Sequence, residues 1–137
     1  MGQQQLLLVI LAVIIVAVAA LLGIIIFQDN AVDHDRKMVI GDLTILSQKA
    51  QHYRSRPTTL GGGGNSFAGL TADASGLATL ASPSFTNNAN GTYSIKTAGT
   101  STEVVLHGIG NVAMSDGTFP IYDMVVTAQS QAPTKVN

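Results

Sequence analysis

The chain has 137 residues, a formal net charge of -1 and no cysteine. This length has room for one long helix and one small domain. The near-neutral charge provides no bulk attraction to nucleic acid, so no nucleic-acid partner is expected. The lack of cysteine excludes disulfides, thiolate catalysis and covalent haem attachment through a Cys-x-x-Cys-His motif.

An uninterrupted apolar run occupies residues 6–27, from Leu6 to Phe27, and contains neither a charge nor a proline. As a helix it would be about 33 Å long, which is enough to cross the hydrocarbon core of a membrane. The roughly 110 residues that follow cannot bury such a helix, because the core of so small a domain is too limited. We therefore expect this helix to enter lipid or to pack among the same helices of neighbouring copies.

The helix is predicted to continue through residues 28–56, with an apolar stripe along one side. The stripe consists of Val32, Val39, Leu43, Leu46, Ala50 and Tyr53. The charged residues Asp33, Lys37, Asp42 and Lys49 fall off it. Pro57 ends the helix, since proline disfavours helical geometry in the residue before it. So narrow a stripe predicts a helix that packs on a sheet along one side only.

Residues 57–91 are predicted to be a connector and loop. Four glycines and Asn65 follow one another at 61–65. No Gly-Lys-Ser/Thr sequence ends this run, as it would in a phosphate-binding loop, so a flexible connector is expected. Phe67 and Leu70 are expected to anchor the next segment to the core, residues 73–80 predict a short helix, and residues 82–90 predict a loop.

From residue 92 the apolar pattern changes to the two-residue period of strands. Strands are predicted at 92–98, 102–108 and 119–127, joined by short connections into an antiparallel meander within residues 92–128. One face of this sheet is expected to cover the helical stripe, and the polar tail 129–137 is expected to fray. The predicted fold class is α+β, a long apolar-then-amphipathic N-terminal helix packed on a small antiparallel sheet.

The chain is thereby divided into two regions. Residues 1–28 form the hydrophobic helix, which is either a membrane span or part of a filament core. Residues 29–137 form a globular α+β region that begins with the amphipathic helix at 29–56.

This order of elements resembles the type IV pilin superfamily, the pilins and pseudopilins. In that family a prepilin peptidase removes a short leader that ends in glycine, and the mature chain opens directly into an apolar helix. The resemblance therefore implies processing after Gly2, with Gln3 as the first mature residue. The family usually has a glutamate at the fifth mature position, which is Leu7 here, and the chain's one glutamate is Glu103. Glutamines near the N-terminus would then offer only neutral hydrogen bonds in place of an ion pair.

Ala19 and Gly23 form a small-xxx-small pair within the apolar run. Such a pair lets two helix backbones approach closely, so these residues are candidates for helix packing. The alternative is a chance spacing in an alanine-rich helix.

The three histidines give no recognisable catalytic or metal-binding pattern. His34 lies between Asp33 and Asp35, but adjacent residues of a helix point in different directions, so no metal site is expected. His52 and His107 are expected at the surface or at a sheet edge. No serine–histidine–aspartate order and no carboxylate pair is recognisable, so neither catalytic residues nor a cofactor are predicted.

Asn90 opens an Asn-Gly-Thr sequence, which is a formal N-glycosylation sequon. The same residues are typical of a turn. The sequence leaves open whether Asn90 is modified.

The functional hypothesis is a structural subunit of an extracellular, type IV pilus-like filament, and no enzyme activity is expected. The resemblance implies a homo-oligomer of identical subunits as partner, together with the prepilin peptidase and the pilus assembly machinery. It also implies a location in the inner membrane before assembly and at the cell surface afterwards. The alternatives are a single-pass membrane-anchored surface protein, or a pseudopilin of a secretion or DNA-uptake machine.

Overall fold

The computed structural model describes residues 2–137. Its first element is a single helix, α1 (Gly2–Ser55), which carries both the apolar run and the amphipathic stripe without a break. At about 1.5 Å per residue this helix is roughly 80 Å long. Its last turn contains His52 and Arg54, where basic side chains stabilise the partial negative charge of a helix C-terminus.

Short elements connect α1 to a four-stranded sheet. They are a single 3-10 turn (Thr58–Leu60), α2 (Ala74–Leu80) and α3 (Pro83–Thr86). The strands are β1 (Gly91–Thr97), β2 (Glu103–Gly110), β3 (Ile121–Thr127) and β4 (Gln131–Lys135). Their spatial order is β1-β2-β3-β4, with every neighbouring pair antiparallel. The predicted α+β class and the long helix packed on an antiparallel meander are confirmed.

The core lies between the second half of α1 and one face of the sheet. Val39, Leu43, Leu46 and Ala50 of the stripe are fully buried. The sheet meets them with the inward residues Tyr93, Ile95, Val104, Leu106, Tyr122, Met124 and Val126. Each large apolar side chain buried here contributes roughly 1.5–3 kcal/mol to folding.

A glycine sets how closely the helix approaches the sheet. A Cβ on Gly108 of β2 would lie 3.0 Å from Val39 Cγ1 and 3.1 Å from Leu43 Cδ1. These distances are shorter than ordinary carbon–carbon contacts. The missing side chain therefore lets the stripe pack directly on the middle of β2.

The segment between α1 and the sheet closes one end of the core. Phe67 and Leu70 are fully buried, as predicted. Asp73 caps α2 by accepting hydrogen bonds from the backbone N–H groups of Ser75 and Gly76 at 3.0 and 2.9 Å. The hydroxyl of Thr71 and the N–H of Gly76 are the main causes that lower the pKa of Asp73 to about 2.

The glycine-rich run at 61–65, predicted to be a flexible connector, instead caps the end of α1. The N–H of Gly63 donates to the carbonyl of Tyr53 at 2.8 Å, and the N–H of Asn65 donates to the carbonyl of Arg54 at 2.7 Å. The last carbonyls of a helix have no partner within the helix. Gly61 and Gly64 have positive φ angles, of 74° and 57°, which glycine adopts without strain as the chain turns back.

Two further predictions from the sequence are wrong. The tail 129–137 was expected to fray, but its residues Gln131–Lys135 form β4 along the free edge of β3. The loop 82–90 contains the short helix α3. All five residues of β4 are exposed, so this strand has no buried face and no alternating pattern that the sequence could display. The hydroxyl of Ser47, buried on α1, forms a hydrogen bond with the side chain of Gln131.

Candidate assembly surface

The first half of α1 presents an apolar surface on all sides. Between Leu6 and Phe27 the large side chains range from 48% exposed at Leu11 to 77% at Phe27. Within residues 2–137, α1 is the only helix long and apolar enough to cross a membrane. An apolar cylinder of this size favours transfer out of water, into lipid or against other apolar helices.

The two residues that the pilin resemblance assigns to processing lie at the very start of this surface. Gly2 is the first residue of α1, Gln3 follows it, and both are exposed. The first turn contains no acidic residue. Leu7, at the position where the pilin resemblance would place a glutamate, is 68% exposed.

The candidate packing pair lies on one exposed face of the same helix. Ala19 and Gly23 are four residues apart and both exposed, so they occupy neighbouring turns. A Cβ on Gly23 would meet nothing within 4 Å. The backbone at Gly23 is therefore open to an approaching helix, and no other described residue of the chain occupies that space.

The second half of α1 buries two carboxylates against the domain. Asp42, expected off the apolar stripe, is 9% exposed, and Asp35 is 5% exposed. Asp42 Oδ2 accepts hydrogen bonds from the Tyr93 hydroxyl at 2.8 Å and from the side-chain amides of Asn88 and Asn90 at 3.0 Å each. Burial, together with the hydrogen bond to Asp42, raises the pKa of Tyr93.

These carboxylates fix loops onto the stem formed by the second half of α1. Asp35 Oδ2 accepts from the N–H of Val112 at 3.1 Å, which holds the connection after β2. The bonds from Asn88 and Asn90 hold the loop before β1 in the same way. The amide nitrogen of Asn90 is thus engaged in the fold at the point where a glycan would be attached.

The outer face of the sheet, away from α1, carries a polar row that the sequence did not reveal. Ser94, His107 and Asp123 are cross-strand neighbours on β1, β2 and β3. His107 Nδ1 lies 2.5 Å from Asp123 Oδ1, and the ammonium group of Lys96 contacts the other carboxylate oxygen. His107 therefore lies on the outer surface of the sheet, one of the two expected positions, but on an interior strand and partly buried rather than at an edge.

The chemistry of this row is ion pairing on an open surface. Burial of the Asp123 carboxyl opposes ionisation, but the hydrogen bonds from Lys96 and His107 outweigh it and lower the pKa of Asp123. Among the described residues no hydrogen bond joins the Ser94 hydroxyl to His107, so the serine is not activated as a nucleophile in this arrangement. The strand alternation could have placed the three residues on one face, but only the register aligns them.

His34 and its neighbours are separated, as expected for adjacent residues of a helix. Asp33 is exposed and pairs with Arg36 at 3.6 Å, whereas Asp35 turns inward to Val112. No group of three or more His, Cys, Asp or Glu residues within positions 2–137 is placed to hold a metal ion. The exposed apolar half of α1 is the surface with the clearest functional consequence, because an apolar helix of this size requires a covering.

Comparison with known proteins found no matching family model, no matching curated protein and no matching solved structure. The pilin-like order of elements is thus a likeness of architecture alone. The case for a function rests on what the exposed helix and the packed domain can do physically.

Proposed function

We propose that the chain is a structural subunit of an extracellular filament similar to a type IV pilus. In this filament the apolar halves of α1 from many copies bundle into the core, and the α+β domains tile the outside. The observation that carries the proposal is the exposure of residues 6–27 on all sides of a helix whose other half is packed against the sheet.

The hydrophobic effect favours an arrangement in which the apolar half of α1 is covered both before and after assembly. Each large apolar side chain gains roughly 1.5–3 kcal/mol when it leaves water, and the run contains more than a dozen of them. Lipid can cover the helix before assembly, and the same helices of neighbouring copies can cover it afterwards. Both environments are apolar, so the helix can pass from one to the other without unfolding.

The unbroken α1 makes the domain a rigid extension of the apolar helix. The stripe from Val39 to Ala50 is buried against the sheet, so a force on one half of α1 is transmitted to the other. In the proposed filament, the packing of the apolar halves thereby sets the spacing of the outer domains. Identical subunits repeating one such contact form an open helical assembly.

The N-terminus would dock without an ion pair. After removal of a leader ending at Gly2 by a prepilin peptidase, the mature chain would begin at Gln3 and present Leu7 where related filaments present a carboxylate. No buried carboxylate then requires a partner. The register between copies would depend on the shape of the apolar helix and on contacts between the outer domains.

The proposal is tested by shearing cells and examining the released material by electron microscopy and mass spectrometry. Filaments that contain this chain, and that are lost when its gene is deleted and recovered on complementation, are expected. The mass of the N-terminal peptide will show whether the filament subunit begins at Gln3. Persistence of the chain in the membrane fraction, with no sheared filaments, would contradict the proposal.

The second candidate is a single-pass membrane-anchored surface protein. It is favoured by the same span, since a single helix of this length and composition is sufficient to anchor a domain. A pseudopilin of a secretion or DNA-uptake machine lies between the two, with a short fibre that stays in the periplasm. Monomeric extraction by mild detergent favours the anchor, and crosslinked periplasmic oligomers without surface filaments favour the pseudopilin.

A further inference from the structure

A basic pocket opens beside the distal end of α1. It has a volume of about 200 Å³ and lies between α1, the glycine-rich cap and α2. Its lining includes the polar side chains Lys49, His52, Arg56 and Thr79, and no carboxylate. Within residues 2–137 none of the three basic side chains forms a salt bridge. We refer to Lys49, His52 and Arg56 as the basic pocket.

Two features near the basic pocket stabilise the positive charge of its side chains without neutralising it. Lys49 Nζ lies 5.0 Å from the centroid of the Phe85 ring, within reach of a cation–π interaction. The C-terminal end of α1 also stabilises positive charge. Neither effect supplies a counter-ion, so the pocket retains the capacity to bind a carboxylate.

Two carboxylates that the basic pocket could bind lie on the same helix, shortly after the apolar run. Asp29 and Asp33 are both exposed. Asp33 forms a long ion pair with Arg36 at 3.6 Å, and Asp29 forms no salt bridge within the described residues. We refer to Asp29 and Asp33 as the acidic patch.

The helix fixes the separation of these two surfaces. Asp29 and Lys49 are 20 residues apart, and Asp33 and His52 are 19 apart, so each pair is separated by about 30 Å along the axis. At 3.6 residues per turn, Asp29 and Lys49 point about 160° apart around the helix. The acidic patch therefore cannot reach the basic pocket of its own chain.

We propose that the basic pocket of one copy binds the acidic patch of a second copy displaced by about 30 Å along the α1 axis. One displacement brings Asp29 to Lys49 and Asp33 to His52, since the two pairs have nearly the same axial separation. The contact joins two different surfaces and includes a translation, so it cannot close into a ring and it propagates as an open helix. This inference rests on the proposed filament and specifies how its stems are placed in register.

The absence of native cysteine permits a direct test in whole filaments. The double variant Asp29→Cys with Lys49→Cys is assembled, sheared and mildly oxidised, and the covalent species are separated without reducing agent. A ladder of dimers, trimers and longer oligomers is expected, because each subunit links to two neighbours. The single variants, and the double variant Asp29→Cys with Thr134→Cys on exposed β4, should give no ladder.

A charge exchange tests whether the contact contributes to assembly. Lys49→Glu should lower the yield of sheared filaments several-fold at low salt, since it places like charges in contact. Adding Asp29→Lys to that chain should restore the yield, and high salt should reduce the difference between the variants. Gln48→Glu, an exposed neighbour on α1, serves as the control and should leave the yield unchanged.

The outcomes separate this inference from the proposed function. Normal filaments with no ladder, and with full yield for Lys49→Glu, would overturn the stem-to-stem contact and leave the filament standing. If Lys49→Glu instead only weakened retention of intact filaments on phosphocellulose, the pocket would serve an external polyanion and the inference would be wrong. Failure of the wild-type chain to form filaments would overturn the proposed function itself.

Discussion

The two halves of α1 are parts of one helix, but their apolar residues have opposite surroundings. Leu22 in the first half is 54% exposed, whereas Leu43 in the second half is 0% exposed. The first half is apolar on every side and packs against no other element of the described residues 2–137. The second half restricts its apolar residues to one stripe, which the sheet covers. Leucine therefore belongs to the folded core in the second half of α1 and to an exposed apolar surface in the first half.

The polar residues show the same contrast. Residues 6–27 contain no charge, whereas the second half of α1 buries Asp35, Asp42 and Ser47, each with a hydrogen bond. Buried polar groups are tolerated only when they are paired, and these pairs connect the stem to three separate loops or strands. The second half of α1 is thus stabilised by contacts within the chain, whereas the first half needs other molecules to cover its apolar surface.

The largest expected effect comes from placing a charge in the first half. Val16→Asp should abolish filaments, because an unpaired carboxylate in a water-excluded helix bundle costs several kcal/mol. Gln48→Asp on the exposed side of the stem is the control, and it should assemble normally. Electron microscopy of sheared material checks both variants. Normal filaments from Val16→Asp would contradict the assignment of residues 6–27 to a core.

Removing the first half should convert the chain into a soluble domain. A protein that begins at Asp29 keeps the whole buried stripe and loses the exposed apolar surface. We expect it to be folded and monomeric by light scattering, whereas the full chain should require detergent. Aggregation of the shortened chain would show that the stem and sheet do not form a self-sufficient core.

Matched leucine substitutions should measure the difference between the halves directly. Leu43→Ala should lower the free energy of unfolding of the domain by about 2–5 kcal/mol, as expected for a cavity in a packed core. Leu22→Ala should leave it unchanged. Urea unfolding of the full chain in detergent, followed by the near-ultraviolet signal of the buried tyrosines, checks both. Equal losses would indicate that the halves unfold as one unit.

A smaller effect is expected for the buried carboxylate of the stem. Asp42→Ala should lower the free energy of unfolding of the domain by about 1–3 kcal/mol, because it leaves the Tyr93 hydroxyl and the Asn90 amide without their acceptor, while Asn88 keeps its bond to the Phe85 carbonyl. Asp29→Ala is the exposed control and should change it by less than about 0.5 kcal/mol. The measurement is the same urea unfolding. No loss from Asp42→Ala would mean that water replaces the carboxylate at little cost.

The smallest effect concerns the outer face of the sheet, which the stem does not contact. The folded-state pKa of Asp123 lies below the ordinary aspartate value of 3.8. A lowered pKa contributes stability above the unfolded value, and that contribution is lost as the pH falls through the folded value. Between about pH 5 and about pH 3, the unfolding free energy of the wild type should therefore fall more steeply than that of Asp123→Asn. Parallel pH profiles would show that the bonds from Lys96 and His107 to Asp123 add nothing to stability.

Several features of the fold could be predicted from the sequence because they depend on local periodicity. The length of the apolar run at 6–27 implies a surface that this chain cannot cover. The spacing from Val39 to Ala50 implies a helix packed along one side. The alternation beyond residue 91 implies strands that present one face to that helix. The exposure of the apolar half of α1 was therefore predictable, since the domain formed by the rest of the chain is too small to bury it.

Other features were decided by contacts between residues that are distant in the sequence. Strand β4 has no buried face, and it forms because the free edge of β3 offers hydrogen-bonding groups to it. The sequence pattern places Asp42 off the buried stripe. In the fold, the side chains of Asn88, Asn90 and Tyr93 donate hydrogen bonds to its carboxylate. The basic pocket exists only because α2 and the glycine-rich cap fold back against Lys49 and Arg56. Sequence periodicity reports which side of an element is apolar, whereas hydrogen-bond partners and converging charges are set by register and packing, which only the tertiary structure fixes.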